Sequence, residues 1–317
     1  MSEGRVVALS GGVGGAKLAL GLARVLAPET LLVVANTGDD FTHLGLAISP
    51  DLDTLLYALA GIDNMQTGWG RRGETWTFMA ALEALGGETW FRLGDGDLAT
   101  HVERTRRLAA GEALSAITDD FRRRLGIAAR IVPMSDDPVR TRLETSEGWL
   151  DFQPYFVRRR CEPAVRAIAF AGAETARPYP EIIAALGDPG LRAVILCPSN
   201  PFISIDPILA VPRMRQALRD CAAPVVAVTP IISGRAVKGP TVKMMQELGL
   251  AADAASVARR YADFIDAFII DRADQAGADV PGVALMPADT LMLTLTDREA
   301  LARTVLAAAD AARKRRR

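Results

Sequence analysis

Val6 to Lys17 runs VVALSGGVGGAK. An apolar stretch, Val6 to Leu9, breaks into four glycines within five positions: Gly11, Gly12, Gly14 and Gly15. From Ala16 onward, AKLALGLARVLA carries its apolar residues at helical spacing. That order predicts a buried strand, a tight glycine turn and a helix N-terminus. Glycine lets a backbone reach positive φ and approach a ligand closely. The N–H groups and dipole of a helix start favour a phosphate. The spacing is neither G-x-x-x-x-G-K-[ST], since Leu18 follows Lys17, nor G-x-G-x-x-G. Four glycines exceed what a turn alone requires, so the reading is a phosphate site.

Working outward, Leu31 to Ala35 (LLVVA) reads as a second buried strand, ending in Asn36-Thr37-Gly38-Asp39-Asp40. A βαβ unit places that loop beside the glycine turn, at the carboxyl edge of a parallel sheet where open α/β folds bind ligands. Ile48 to Thr54 (ISPDLDT) adds Asp51 and Asp53 ahead of a helical pattern. Each aspartate alone reads as a cap. Four carboxylates within fifteen positions point further, to a hard cation such as magnesium held through oxygen ligands.

Trp76, Phe78, Met79 and Leu82 have the spacing of a core-facing helix. Trp90-Phe91 reads as a short aromatic strand ending in Arg92 and the turn LGDGD, with a helix from about Leu98. His101, near that helix start, reads as structural, and the arginines between Arg104 and Arg130 as a solvated face. Residues of about 114–192 break the βα rhythm and read as an inserted α+β segment or lid. The rhythm returns with Ala193 to Leu196, Pro224 to Val228 and Phe268 to Ile270, each followed by polar or turn residues. Lys238 and Lys243 flank Gly239-Pro240 within reach of a phosphate. Leu291 to Leu295 reads as a last strand, and Arg298 to Lys314 as a closing helix. The predicted class is α/β, one domain over 1–317 with a mostly parallel sheet core.

Composition sets bounds. Half of the 317 residues are apolar and 24% are charged, a globular balance. Net charge is −1, which argues against non-specific nucleic-acid binding. No apolar run approaches the length of a membrane span. The three cysteines, Cys161, Cys197 and Cys221, are widely spaced and suit a reducing cytoplasm.

SGGVGGAK, NTGDD, ISPDLDT, the GWG and ETW pair, LGDGDLATH, PMSDDPV, PSNP, PII and KGP occur in one order. Together they resemble the 2-phospho-L-lactate transferase family of coenzyme F420 biosynthesis, from about Val6 to Leu293. The resemblance implies a Rossmann-like core with an added segment, commonly as a homodimer. It implies transfer of a phosphorylated three-carbon acid (phospholactyl, phosphoenolpyruvyl or phosphoglyceryl) from a guanosine-diphosphate-linked donor to the deazaflavin Fo. GMP leaves, and Mg2+ is required. Carried onto this chain, Asp39, Asp40 and Asp53 fall in the metal region, and Asp51 and Asp53 at the reacting centre. Asp53 and Arg92 fall against Fo, with Arg92 where archaeal members often carry lysine. Gly11, Gly12, Gly14, Gly15 and Lys17, with Ser199 and Asn200 of PSNP, fall in the nucleotide site.

Such a transfer rests on positioning and charge neutralisation. Glycine-loop N–H groups would hold phosphate oxygens. Asp53 would orient the ribityl hydroxyl or take its proton. Two other functions compete. An NAD(P)-dependent oxidoreductase is disfavoured by the glycine spacing and by several aspartates after the second strand where one ribose-binding acid is expected. A non-catalytic nucleotide-binding regulator would not need LGDGDLATH together with SPDLDT.

Overall fold

The computed structural model describes residues 4–275 and 279–316. Seven strands form one central sheet: β1 (Val6–Ser10), β2 (Leu31–Ala35), β3 (Arg130–Pro133), β4 (Ala193–Leu196), β5 (Val225–Val228), β6 (Ala267–Asp271) and β7 (Ala284–Ala288). Their order across the sheet is β7-β6-β5-β4-β1-β2-β3, and every pairing is parallel. This is the Rossmann-type winding, with its strand order reversing between β1 and β4.

The sheet is covered on both faces, which is why its strands read as unbroken apolar runs. Val6 and Ala8 point into one core with α1 (Gly12–Val25), α2 (Pro50–Ala60) and the last helix. Val7 and Leu9 point into the other, with the helices Pro180–Leu186, Met214–Asp220 and Ala254–Tyr261. The period of two along β1 thus feeds two separate cores. Between α2 and β3 lie α3 (Asp95–Ala109) and a helix at Leu114–Arg124, and a hairpin (Phe41–His43 with Leu46–Ile48) precedes α2. The chain closes on α4 (Leu295–Arg316).

Within residues 114–192, Arg130–Pro133 belongs to the central sheet, while Arg140–Thr145, Gly148–Asp151 and Val165–Ala171 form a separate antiparallel sheet. That smaller sheet is tied to the main edge where the Thr141 N–H donates to the Gly38 carbonyl at 2.8 Å. No helix among the described residues is long and apolar enough to cross a membrane.

Three local expectations are corrected. The last strand is Ala284–Ala288, not Leu291 to Leu295: Leu291, Leu293 and Leu295 are exposed, so their alternation faces water. The true strand was hidden by Pro287, which an edge strand tolerates. Trp90-Phe91 forms no strand; its rings pack against Phe41 and His43 of the hairpin. The helix after Arg92 begins at Asp95, three residues before Leu98.

Candidate active site at the strand-order reversal

The turn after β1 is a single extended residue, Gly11, and the helix starts at Gly12, so the later glycines sit in its first turn. Each glycine has a reason within the fold. Gly12 takes φ +64°, and a Cβ on Gly14 would lie 2.4 Å from the Pro198 carbonyl oxygen. Gly11 and Gly15 are closed off by Ser204 and Ser199 in the same way. The glycine count therefore measures how tightly the loops after β1 and β4 are packed, and does not by itself call for a phosphate.

Ser199 joins those two loops. Its Oγ accepts from the Gly11 N–H at 3.1 Å and donates to the Gly11 carbonyl at 2.8 Å. Asn200 caps the π-helical turn Pro201–Ile205, accepting from the Phe202 N–H at 2.9 Å. That turn brings Ser204 against Gly11 and the Ile203 carbonyl to Asn36.

Asn36 organises the acidic loop, a role its sequence position alone did not assign. Its amide donates to Asp51 Oδ2 at 2.8 Å and to the Ile203 carbonyl at 3.1 Å, while its Oδ1 accepts from the Gly38 N–H at 2.8 Å. Asp51, in the first turn of α2, also accepts from the Gly12 N–H at 2.7 Å. An internal carboxylate therefore sits at the N-terminus of α1, where helix starts favour anions. Asp40 accepts from the Ser49 hydroxyl at 2.8 Å.

Asp39, Asp40 and Asp51 are all buried and share one electrostatic neighbourhood. Burial pushes the Asp40 carboxyl up to about 7, against the pull of Arg140, and Asp51 up to about 6. Asp39 rises well above the usual carboxylate range, through burial and then the charge of Asp51. Asp39 Oδ1, Asp40 Oδ1, Thr37 Oγ1, Ser10 Oγ and Thr141 Oγ1 are buried without hydrogen-bond partners. Buried polar atoms are normally satisfied. The orphaned carboxyl oxygens of Asp39 and Asp40, on groups that resist ionisation, suit a hard divalent cation, which prefers oxygen ligands and would hold them ionised.

Asp53 turns elsewhere. Both of its oxygens accept from the Arg104 guanidinium, and Arg104 is 1% exposed. The arginine at that position is therefore not part of a solvated face. His101 lies between Asp53 and Asp97, with Nδ1 3.6 Å from Asp53 Oδ2 and Nε2 3.3 Å from Asp97 Oδ2. The Tyr57 hydroxyl donates to Asp97 at 2.5 Å. Asp53, Asp97 and His101 offer ligand atoms within 4.8 Å of one another, the spacing of a metal set. The bidentate guanidinium already neutralises Asp53, however, so the chemistry favours an internal ion pair there.

The remaining predicted residues lie around the rim. Arg92 is exposed and stacks 4.1 Å from the centre of the Trp76 ring, making no ion pair among the described residues. Trp76 meets Trp69 edge-on at 6.3 Å. Lys17 lines, with Val13 of the glycine turn, a cavity of about 230 Å³ between α1 and α2, its Nζ donating to the Met292 carbonyl at 2.9 Å. Lys243 is occupied by Glu247, and Lys238 lies at the cavity mouth.

Comparison with known proteins runs along the same contour. Residues 6–302 match the family described as 2-phospho-L-lactate transferase CofD. The chain is 40% identical to the phosphoenolpyruvate transferase of Kitasatospora aureofaciens, covering 98% of this chain and 99% of that one. It is 38% identical to the 2-phospho-L-lactate transferase of Methanosarcina mazei, covering 96% and 100%. A crystal structure of a UPF0052-family protein from Bacillus halodurans superposes with a TM-score of 0.64 over 96% of this chain and 99% of that one. At 13% identity it supports the fold alone.

Proposed function

We infer the reaction from family membership: the chain belongs to the 2-phospho-L-lactate transferase family CofD, and is a transferase of coenzyme F420 biosynthesis. That reaction moves a phosphorylated three-carbon acid from a guanosine-diphosphate-linked donor to Fo. The ribityl hydroxyl oxygen forms a new bond to the phosphorus bearing the acid. The bond from that phosphorus to the GMP oxygen breaks, GMP leaves with the electron pair, and the hydroxyl proton is lost. The names of the Kitasatospora and Methanosarcina relatives support phosphoenolpyruvyl and phospholactyl donors as the first to test.

The observation that carries the site assignment is the pair of buried carboxyls Asp39 and Asp40 with their orphaned oxygens, next in the loop to Asn36, which ties Asp51 to the start of α1 at the reversal of strand order. Asp39 and Asp40 would hold Mg2+ through their orphaned oxygens, and its charge would stabilise the diphosphate oxygens and the departing GMP. The chain's own residues then position. Asn36 and Gly12 fix Asp51, and Ser49 fixes Asp40. Asp53 is engaged by Arg104, which supports reading it as an internal ion-pair partner rather than as a free base. Transfer at phosphorus asks little of a base and much of alignment and charge. Arg92 would meet the planar acceptor, a reading supported by its stacking on the Trp76 ring. The smaller antiparallel sheet flanks the acidic loop through Thr141 and Arg140, which supports reading it as an added segment that borders the site. A homodimer in the cytoplasm is part of the same reading.

The test is a transfer assay with Fo, magnesium and each of the three guanosine-diphosphate-linked acids, with the product detected by mass. One of them should yield an Fo mass increased by the phospho-acid, together with GMP. No transfer from any donor would overturn the reading.

A further inference from the structure

The cavity that receives Lys17 is unusual in its charge. Lys17, Lys238 and Arg298 line it, against one carboxylate, Asp63. None of the three cations makes an ion pair among the described residues. Lys17 donates to the Met292 carbonyl, and Lys238 at the exposed rim donates to the Thr67 and Gly68 carbonyls. Arg298 is 3% exposed, approaches the Met65 sulfur at 3.1 Å, and leaves its Nε without a partner. A buried guanidinium normally has a carboxylate or another full set of acceptors, because an uncompensated buried charge is strongly destabilising. The Lys17 ammonium is held below its usual range by burial and by the charges of Arg298 and Lys238, so the three sense one another. Three cations lining one cavity against a single carboxylate leave an excess of positive charge, a site for an anion.

Size narrows the ligand. About 230 Å³ is below the roughly 300–1,000 Å³ of pockets that enclose a whole drug-sized ligand. It suits a fragment, and neither a nucleotide nor a tricyclic deazaflavin. Position narrows it further. Val13 and Thr54, in the opening turns of α1 and α2, line the cavity, so it lies against the two helix starts that the Gly12–Asp51 hydrogen bond joins. We propose that Lys17, Lys238 and Arg298 form the subsite for the three-carbon phospho-acid, reading its carboxylate and phosphate together, so that this cavity selects which acid is transferred. The proposal rests on the transferase reading above.

The test uses full-length protein and calorimetric titration with phosphoenolpyruvate and, separately, inorganic phosphate at fixed ionic strength. Lys238→Gln is the main variant because its side chain is exposed and its loss leaves the core intact; Lys17→Gln is the second. Wild type should bind phosphoenolpyruvate at least tenfold more tightly than phosphate, and each variant should lose about tenfold in phosphoenolpyruvate affinity with an unchanged melting temperature. Inorganic phosphate binding as tightly as phosphoenolpyruvate would overturn the assignment, as would variants that bind like wild type. The two readings fail separately. If wild type transfers an acid to Fo while the variants bind phosphoenolpyruvate normally, the subsite is wrong and the transferase stands. If the variants lose binding while wild type transfers to no deazaflavin, the anion subsite stands and the transferase reading falls.

Discussion

Replacing Asp53 by asparagine should unfold this protein more readily before it does anything else. Arg104 is fully buried, and both Asp53 oxygens neutralise it. The hydrogen-bond neighbours left to it are His101, 3.3 Å away, and the Ala47 carbonyl at 3.4 Å, neither of which carries negative charge, while the Asp40 and Asp97 carboxyls act on it only at longer range. Removing one member of a buried pair typically destabilises by about 3–5 kcal/mol. For a chain of this length that lowers the melting temperature by about 4–8 °C. Arg104→Met should cause a loss of similar size by stranding Asp53. The double variant, Asp53→Asn with Arg104→Met, should recover much of it, because neither charge is then left alone. Thermal unfolding monitored by circular dichroism in chelator reads all four proteins without involving the reaction. Single variants that melt within about 2 °C of wild type, well inside the expected shift, or a double variant whose loss equals the sum of the singles, would refute the pairing and return Asp53 to the role of a free carboxylate.

Without divalent cation, stability should fall as pH rises. Burial raises Asp40 to about 7 and Asp51 to about 6, above the ordinary 3.8, so their protonated forms favour the fold below about pH 4 and that contribution is lost as pH rises from there through about 6 and 7. Magnesium competes for the ionised forms, so its effect on melting temperature should be larger at pH 8 than at pH 5.5; an equal or reversed effect would remove the cation from these carboxyls. Asp39→Asn and Asp40→Asn should each lower turnover at least a hundredfold while keeping or raising the melting temperature in chelator, since each deletes a charge the interior disfavours. Turnover near wild type in both would dismantle the site. Arg92→Ala forfeits an exposed cation–π contact of about 0.5–1 kcal/mol, so the fold should barely notice while Fo affinity, read by deazaflavin fluorescence, drops. Gly14→Ala, which presses a methyl on the Pro198 carbonyl, should cost about 1–3 kcal/mol in urea unfolding.

The parts of the molecule that were legible in the sequence are those governed by local rules. β2 and β4 fell on Leu31 to Ala35 and Ala193 to Leu196 because a parallel strand buried on both faces must be apolar throughout. NTGDD and SPDLDT stood out because clustered carboxylates are costly unless something offsets them. What stayed hidden depends on partners remote in sequence. Arg104 lies in a run of arginines on an amphipathic helix, and only Asp53, fifty-one positions earlier, singles it out for burial. Arg298 in the first turn of α4 reads as a surface residue until the loop carrying Met65 closes over it. Asn36 was in plain view as the first polar residue after a buried strand, a signal that it is held for a purpose. Pro287 misled, since edge position, which alone permits a strand proline, is a property of topology.

The strand order has a further consequence, for how the chain is made. β1 lies between β2, which starts at Leu31, and β4, which starts at Ala193. On a ribosome adding about 5–20 residues per second, the roughly 180 residues separating β1 from β4 take about 10–40 s to emerge. Through that interval Val6 to Ser10 presents an unpaired and mostly apolar edge, the kind of surface that templates aggregation. Asp51 and the glycine turn must also wait for Ser199 and Ser204 to complete their surroundings. The nascent half-sheet is therefore the stage at which this protein most needs a chaperone, and a synonymous change that slows translation across residues 40–190 would be felt as lost yield of a chemically unaltered enzyme.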